Sequence, residues 1–344
     1  LTLSTYPLVT HNGDDKARKA GRIYLGMLLG TSMLLLLPAI IWTGVLAGTL
    51  DFAPGGILAG HAGAGMTGVL LAAFVFGIGK AGIMPMHYWL PAAMVAPTPV
   101  SALLHAVAVV KAGVFTVTKV IVYVFGYENL VALGAGQWLV WVAGFTILGA
   151  SIIAIQQDHL KRRLAYSTIS QLSYIVLAAA ILTPISMVGA AMHIAAHAVS
   201  KITLFFAAGS VHTAAHIDHI SEMNGIGRRM PWTMGAFAIA SLSMIGVPPT
   251  AGFLSKWFIL EGAFQSSQWL PIAVIVLSTM LNAGYFLPIV RAEDPHHAEH
   301  HGDHGEAPLP IVIAIVITAS LTVLMFLFPG LPLGLSEAMM GITR

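Results

Sequence analysis

Apolar runs alternate with short polar connections along almost the whole chain. Runs near residues 23–48, 66–84, 99–126, 136–155, 164–184, 186–211, 232–258, 270–290 and 308–329 each approach or exceed the roughly 20 residues a helix needs to cross a bilayer. The pattern predicts an all-α, polytopic membrane protein of about nine helices. Basic residues fall in alternate connections: Lys16, Arg18, Lys19 and Arg22 in the first, then Lys161, Arg162 and Arg163, then Arg228 and Arg229, then Arg291. The intervening connections, about 49–64, 127–135, 183–185 and 264–269, contain no lysine or arginine. Basic residues are retained on the cytoplasmic side, so segments 11–22, 156–163, 212–230 and 291–307 are expected there. Arg344 at the terminus is the exception.

Composition strengthens the reading. Apolar residues make up 57% of the 344 positions and charged residues 9%, outside the soluble range. There is no cysteine, so neither a disulfide nor a thiolate metal site is available. The first residues, "LTLSTYPLVT", lack an initiator methionine and read as the tail of another apolar helix, which suggests further helices upstream. The segment "RAEDPHHAEHHGDHGEAP" carries five histidines that could bind a metal or sense pH, but their spacing fixes no ligand geometry and a solvated loop is the simpler expectation.

The chemistry lies in charges placed inside apolar runs. Every arginine sits at a connection or terminus, whereas Lys80, Lys111, Lys119, Lys201 and Lys256 lie within predicted spans. Arginine stays protonated, while a desolvated lysine can exchange its proton. Each such group costs about 2.5–3.5 kcal/mol on insertion scales, so several together argue for a polar pathway. Lys119 is close enough to an end to snorkel. No acidic residue is central in a span, since Asp51, Glu128 and Glu261 sit near ends. The buried lysines therefore lack counter-charges, and a carboxylate is expected from outside these residues.

In "MHIAAHAVSK", His193, His197 and Lys201 are spaced four apart and line one helical face. Such histidines could pack against backbone carbonyls or hold a metal ion. An ammonium on the same face would repel a divalent cation, which favours proton transfer; no metal site is expected. His105 and Lys111 in "SALLHAVAVVKAG" add a second pair. Two spans are interrupted where lysine occurs: Pro85 follows Lys80, and Pro248 with Pro249 precedes Lys256. Helix breaks at membrane depth persist only where protein or a wet cavity satisfies the freed backbone.

The stretches "GKAGIMPMHYWLPAAMVAPTPVSALLHA", "LKRRLAYSTISQLSY", "HIAAHAVSKITLFFAAGS" and "IGVPPTAGFLSKWF" together resemble the antiporter-like subunits shared by Mrp-type cation/proton antiporters, respiratory complex I and group 4 hydrogenases. The resemblance covers about residues 1–290. It implies a fold of about fourteen helices with two inverted repeats and discontinuous helices. Here residues 1–127 would end the first repeat, 136–290 form the second, 291–307 a His-rich cytoplasmic loop and 308–344 a last helix and tail. It implies a proton relay through Lys80, His105, Lys111, His193, His197, Lys201 and Lys256, with the glutamate that pairs with Lys80 lying upstream. Lys161 resembles the basic residue heading the tenth family helix, where an acid often stands two residues earlier. This chain departs from that pattern, with His159 there and Asp158 beside it, and the three form a candidate coupling site.

The stretch from Met223 to Trp257 looks most like the D subunit of Mrp-type antiporters. Partners are then other membrane subunits of a hetero-oligomer, with protons and Na+ as transported ions, in the cell inner (plasma) membrane. A proton-pumping arm of NADH-quinone oxidoreductase or a group 4 hydrogenase is the alternative, and a structural subunit without transport the third. Nothing resembles a dinucleotide loop or a haem or iron–sulfur ligand set, so no cofactor is expected in this chain. No feature suggests nucleic-acid binding.

Overall fold

The computed structural model describes residues 1–290 and 305–341. The His-rich stretch expected to form a cytoplasmic loop lies outside the described residues apart from its end. The described chain is helical: α1 (Thr2–Val9), α2 (Asp15–Ala47), α3 (Ala64–Gly77), α4 (Thr98–Phe125), α5 (Gln137–Ile155), α6 (Leu160–Ala180), α7 (Pro184–Ala215), α8 (Pro231–Ile245), α9 (Ala251–Gln265), α10 (Trp269–Val290), α11 (Leu309–Leu327) and α12 (Gly330–Met339). Six of them, α2, α4, α5, α7, α10 and α11, are long and apolar enough to cross a membrane.

Local chemistry sets the boundaries. Asp14 begins α2 by accepting a hydrogen bond from the Ala17 N–H at 2.6 Å. Thr183 and Ser186 form a reciprocal capping box ahead of α7, with Pro184 at its first turn. The predicted span 66–84 is helical only to Gly77; Gly79–Ala81 forms a single 3₁₀ turn and the chain then stays irregular until Trp89. The predicted span 232–258 is likewise two helices, α8 and α9, separated by Gly246–Thr250. Met84–Pro85 and Pro248–Pro249 are cis peptides. The span predicted to begin at 164 starts at Leu160 instead, because Lys161 and Arg162 are good helix formers and extend the first turn.

The connections segregate to two ends. At one end Asn12 donates to the Val95 carbonyl, Lys161 to the Ala96 carbonyl, and the Leu160 N–H to the Asp218 carbonyl. At the other, the Ile57 and Leu58 N–H groups bond the Tyr123 and Val124 carbonyls, Gln268 bonds the Ile181 carbonyl, and Tyr123 bonds the Met339 carbonyl. The basic connections described, 11–22, 156–163 and 212–230, all belong to the first end, so the charge asymmetry read along the chain is an asymmetry in space.

Helix α6 is the most enclosed element, buried over almost every residue from Arg163 to Ala180 and packed between α5 and α7. α7 in turn meets α8, α9 and α11. Large apolar side chains such as Leu34, Val45, Trp141, Phe145 and Met280 point outward, as a lipid-facing surface requires.

Candidate functional site

Two neighbouring antiparallel helices carry facing polar stripes. On α7, His193, His197 and Lys201 are all fully buried. Opposite them on α6 stand Ser167, Gln171 and Tyr174, also at helical spacing and fully buried. Because the helices run in opposite directions, Gln171 meets His193 and Ser167 meets Lys201. His193 Nε2 and Gln171 Oε1 are 3.1 Å apart, and Lys201 donates a hydrogen bond to Ser167. The His193 and His197 rings stack with centroids 6.3 Å apart.

The second helix break supplies the far end of this file. α8 stops at Gly246, whose φ of +91° only glycine adopts readily, and a Cβ there would lie 2.8 Å from Lys256 Cδ. The carbonyls that α8 leaves unpaired at its end are filled by a side chain: Lys256 Nζ donates to Met244 at 2.8 Å and Ile245 at 3.0 Å. An ammonium at a helix C-terminus also meets the negative end of its dipole. The Met244 carbonyl receives Gln171 Nε2 at 3.2 Å and Asn282 Nδ2 at 3.3 Å as well. Lys256 Nζ stands 4.6 Å from the Tyr174 ring centre. Gln171 thus touches both His193 and the carbonyl that holds Lys256.

The other end of the file reaches α4. Lys111 forms a hydrogen bond with His197 Nδ1, and His197 Nε2 has no partner among the described residues. His105 lies in a π-helical turn, Leu103–Val107, and is fully buried between Trp89 and Phe205, with centroids 6.5 and 5.5 Å away. Neither of its nitrogens makes a well-formed hydrogen bond; only the Leu90 carbonyl approaches. Such single π turns recur at functional positions. Lys80 sits on the first break, half-buried, with no hydrogen bond or ion pair among the described residues. Gly113 of α4 packs so closely on the backbone of Lys80 and Ala81 that a Cβ would overlap it. Among the described residues the ion pairs are His212–Asp218 and His219–Asp158, both exposed, and no interior lysine there has an acidic partner. Lys119 leans outward over the Phe52 ring at 4.0 Å.

The pairing of Asp158 with Lys161 considered from sequence is not formed. Asp158 accepts from the Ser221 N–H at 3.0 Å and hydroxyl at 2.9 Å, and its carboxylate pairs with His219 at 3.2 Å. Slight burial raises the Asp158 carboxyl, but those bonds outweigh it and hold it below its usual value. Lys161 turns instead to the Ala96 carbonyl, and the acid whose charge acts on it is Asp218. His159 forms a backbone bridge with His219, and burial pushes its imidazole below the ordinary value. A cavity of about 670 Å³ opens at this end, lined by Asn12, Ala96, Lys161, Phe206 and His212, with Phe205 as the wall it shares with His105.

Sequence reasoning missed Ser167, Gln171, Tyr174, Ser255 and Asn282. The signal was available for three of them, since 167, 171 and 174 repeat at helical spacing in an apolar run. Among the described residues no group of three His, Asp or Glu side chains could hold a metal ion.

Residues 1–282 match the family described as NADH:quinone oxidoreductase/Mrp antiporter, TM. The NADH-quinone oxidoreductase subunit N of Desulforudis audaxviator is 38% identical over 247 residues, covering 70% of this chain and 49% of that one. Hydrogenase-4 component B of Escherichia coli is 30% identical over 354 residues, covering 95% of this chain and 52% of that one. The chain therefore spans about half the length of these curated relatives. A chain in the structure of the Mrp complex from Dietzia sp. DQ12-45-1b superposes with a TM-score of 0.82 at 21% identity, covering 98% of this chain and 71% of that chain. With the match running over most of its length, this multi-pass membrane chain belongs to the NADH:quinone oxidoreductase/Mrp antiporter transmembrane family.

Proposed function

We propose that the chain conducts protons across the cell's plasma membrane as one component of a multi-subunit cation/proton antiporter. The observation that carries this is a buried file of proton-binding groups on α4, α7 and α9, linked by Gln171 of α6. Lys111 bonds His197, His197 stacks on His193, His193 bonds Gln171, and Gln171 shares the Met244 carbonyl with Lys256. Proton-binding groups this close can pass a proton directly or through water, with Gln171 orienting His193 without carrying the proton itself, and neighbouring cations make each proton easier to release. Lys201, held by Ser167, stands one turn beyond His197 and supplies a cation whose charge state biases it.

Protons reach the file from the basic end, through the cavity beside Lys161 and His212. The Phe205 ring separates that cavity from His105, whose nitrogens, like His197 Nε2, have no well-formed bond to protein. Buried polar groups are normally hydrogen-bonded, so these atoms mark where water joins the file. Lys80 at the first break begins the path in the other half and takes its carboxylate partner from another part of the assembly.

A second reading, a proton-translocating arm component of NADH-quinone oxidoreductase or of a group 4 hydrogenase, is supported by the likeness to the Desulforudis and Escherichia coli proteins. The same relay serves both, and the driving force distinguishes them: a cation gradient in one, a redox donor in the other. Lys201→Ala tests the relay. In everted vesicles carrying the assembled complex, proton movement is expected to be lost while the complex still assembles; wild-type movement would remove Lys201 from the path.

A further inference from the structure

His193 has a hydrogen-bond environment that fixes one of its nitrogens and leaves the other to choose. Gln171 Nε2 donates to the Met244 carbonyl at 3.2 Å, which turns Gln171 Oε1 toward His193 Nε2 at 3.1 Å. An amide oxygen only accepts, so Nε2 carries a hydrogen in both the neutral and the charged ring. The other nitrogen, Nδ1, is 2.8 Å from Ser255 Oγ, and that same oxygen is 3.0 Å from the Gly252 carbonyl. A serine has one hydrogen to give. When His193 is neutral, Nδ1 is an acceptor and takes the Ser255 hydrogen, leaving Gly252 without it. When His193 is an imidazolium, Nδ1–H donates to Ser255 Oγ and the hydroxyl is free to donate to Gly252. Both contacts are satisfied together only in the charged state.

We propose that Ser255 reports the protonation state of His193 to the helix that carries Lys256. Gly252 and Ser255 are the second and fifth residues of α9, and regular helical bonding directs the Lys256 N–H to the same Gly252 carbonyl. Protonation of His193 therefore adds a second donor at the carbonyl that anchors the Lys256 backbone. The opposite side of Gly252 is held fixed, since its N–H donates to Ser243 Oγ at 3.1 Å, and Ser200, two turns along α7 from His193, bonds Ser243 at 2.8 Å. One face of α7 thus holds Gly252 at its N–H through Ser200, and reads it at its carbonyl through His193. The titratable groups facing His193 are His197 on its own helix, Tyr174 on α6 with ring centres 5.7 Å apart, and the cations Lys256 of α9 and Lys111 of α4. No carboxylate among the described residues faces it, so its proton is balanced by hydrogen bonds alone, which makes the Ser255 hydroxyl a positioning group of unusual leverage.

This inference rests on the proton-relay reading. It is tested in everted vesicles containing the assembled complex, by following proton movement with a pH-sensitive dye across external pH. Ser255→Ala removes the acceptor that the charged ring needs, so the pH profile is expected to move toward acid by about one unit, the size of one charge-assisted hydrogen bond. Ser243→Ala, which touches Gly252 but not His193, is expected to lower the rate without moving the profile. Ser255→Thr keeps the hydroxyl and should keep the wild-type profile. An unmoved profile in Ser255→Ala overturns the proposal. If Ser255→Ala is inactive at every pH, the threonine variant decides: a wild-type profile supports the proposal, and a shifted or absent one overturns it. His193→Gln separates the two readings, because undiminished transport in that variant would refute the relay itself, whatever Ser255 does.

Discussion

Lys256 Nζ donates to the carbonyls of Met244 and Ile245, closing the broken end of the helix that precedes its own across the Gly246–Thr250 break. Holding a lysine on backbone oxygens instead of a carboxylate leaves its ammonium stabilised by dipoles that cannot themselves take the proton. Such a group can lose its proton to the next acceptor without first separating from a fixed counter-charge.

Gly246 is the residue that makes this cradle possible. Gly246→Ala is expected to destabilise the protein by about 1–2 kcal/mol, from the strain of an alanine at positive φ, and to push the Lys256 side chain off its carbonyls. A lower unfolding temperature in detergent, together with transport reduced at every pH, would bear this out. Unchanged stability and transport would mean that the turn relaxes easily.

The other end of α8 is held by Glu306. Its carboxylate accepts from the Trp232 N–H at 2.7 Å, the Thr233 N–H at 3.3 Å and the Thr233 hydroxyl at 2.7 Å. The helix therefore has an acid at its N-terminus and an ammonium at its C-terminus, both favourable to its dipole. Glu306→Ala is expected to cost about 0.5–2 kcal/mol, the usual value of an N-terminal cap. Thermal unfolding of the purified complex measures it, and the conservative Glu306→Asp should recover part of the loss.

Much of this site was legible in the sequence, for a physical reason. Lysines and histidines are so costly in lipid that His193, His197, Lys201 and Lys256 declare themselves by being there at all. Ser167, Gln171 and Tyr174 did not, because such residues are cheap enough to occur in any buried helix, and only the antiparallel packing of α6 on α7 gives them their partners. The π turn at His105 was hidden for a different reason: "LLHAV" is an ordinary helical string, and one extra residue in a turn leaves no mark in hydrophobic periodicity. The acid whose charge acts on Lys161 was likewise found by folding alone, since Asp218 comes from a distant connection of the chain.

The bridge between His159 and His219 at the basic end should respond to pH. Burial lowers His159 from its ordinary value of 6.5, so the folded state binds that proton less readily than the unfolded chain. Its neutral form contributes full stability above 6.5, and stability falls as pH drops below that value. Asp158 acts in the same sense at lower pH: its depressed carboxyl contributes stability above the ordinary value of 3.8, which is lost as pH falls through its folded value. Hydrogen exchange at the Leu160 and Ile220 amides, both bonded across this bridge, should quicken on acidification relative to the intrinsic rate. Protection independent of pH would show that the bridge does not sense it.

Proton movement in His197→Leu vesicles is the most direct test, because His197 is the junction between Lys111 of α4 and His193 of α7. Leucine preserves much of the bulk and removes both nitrogens. With assembly verified by co-purification of partner subunits, the buried relay requires proton movement to fall to the level of vesicles lacking the complex. Wild-type movement in that variant would contradict conduction through the α4–α7 file.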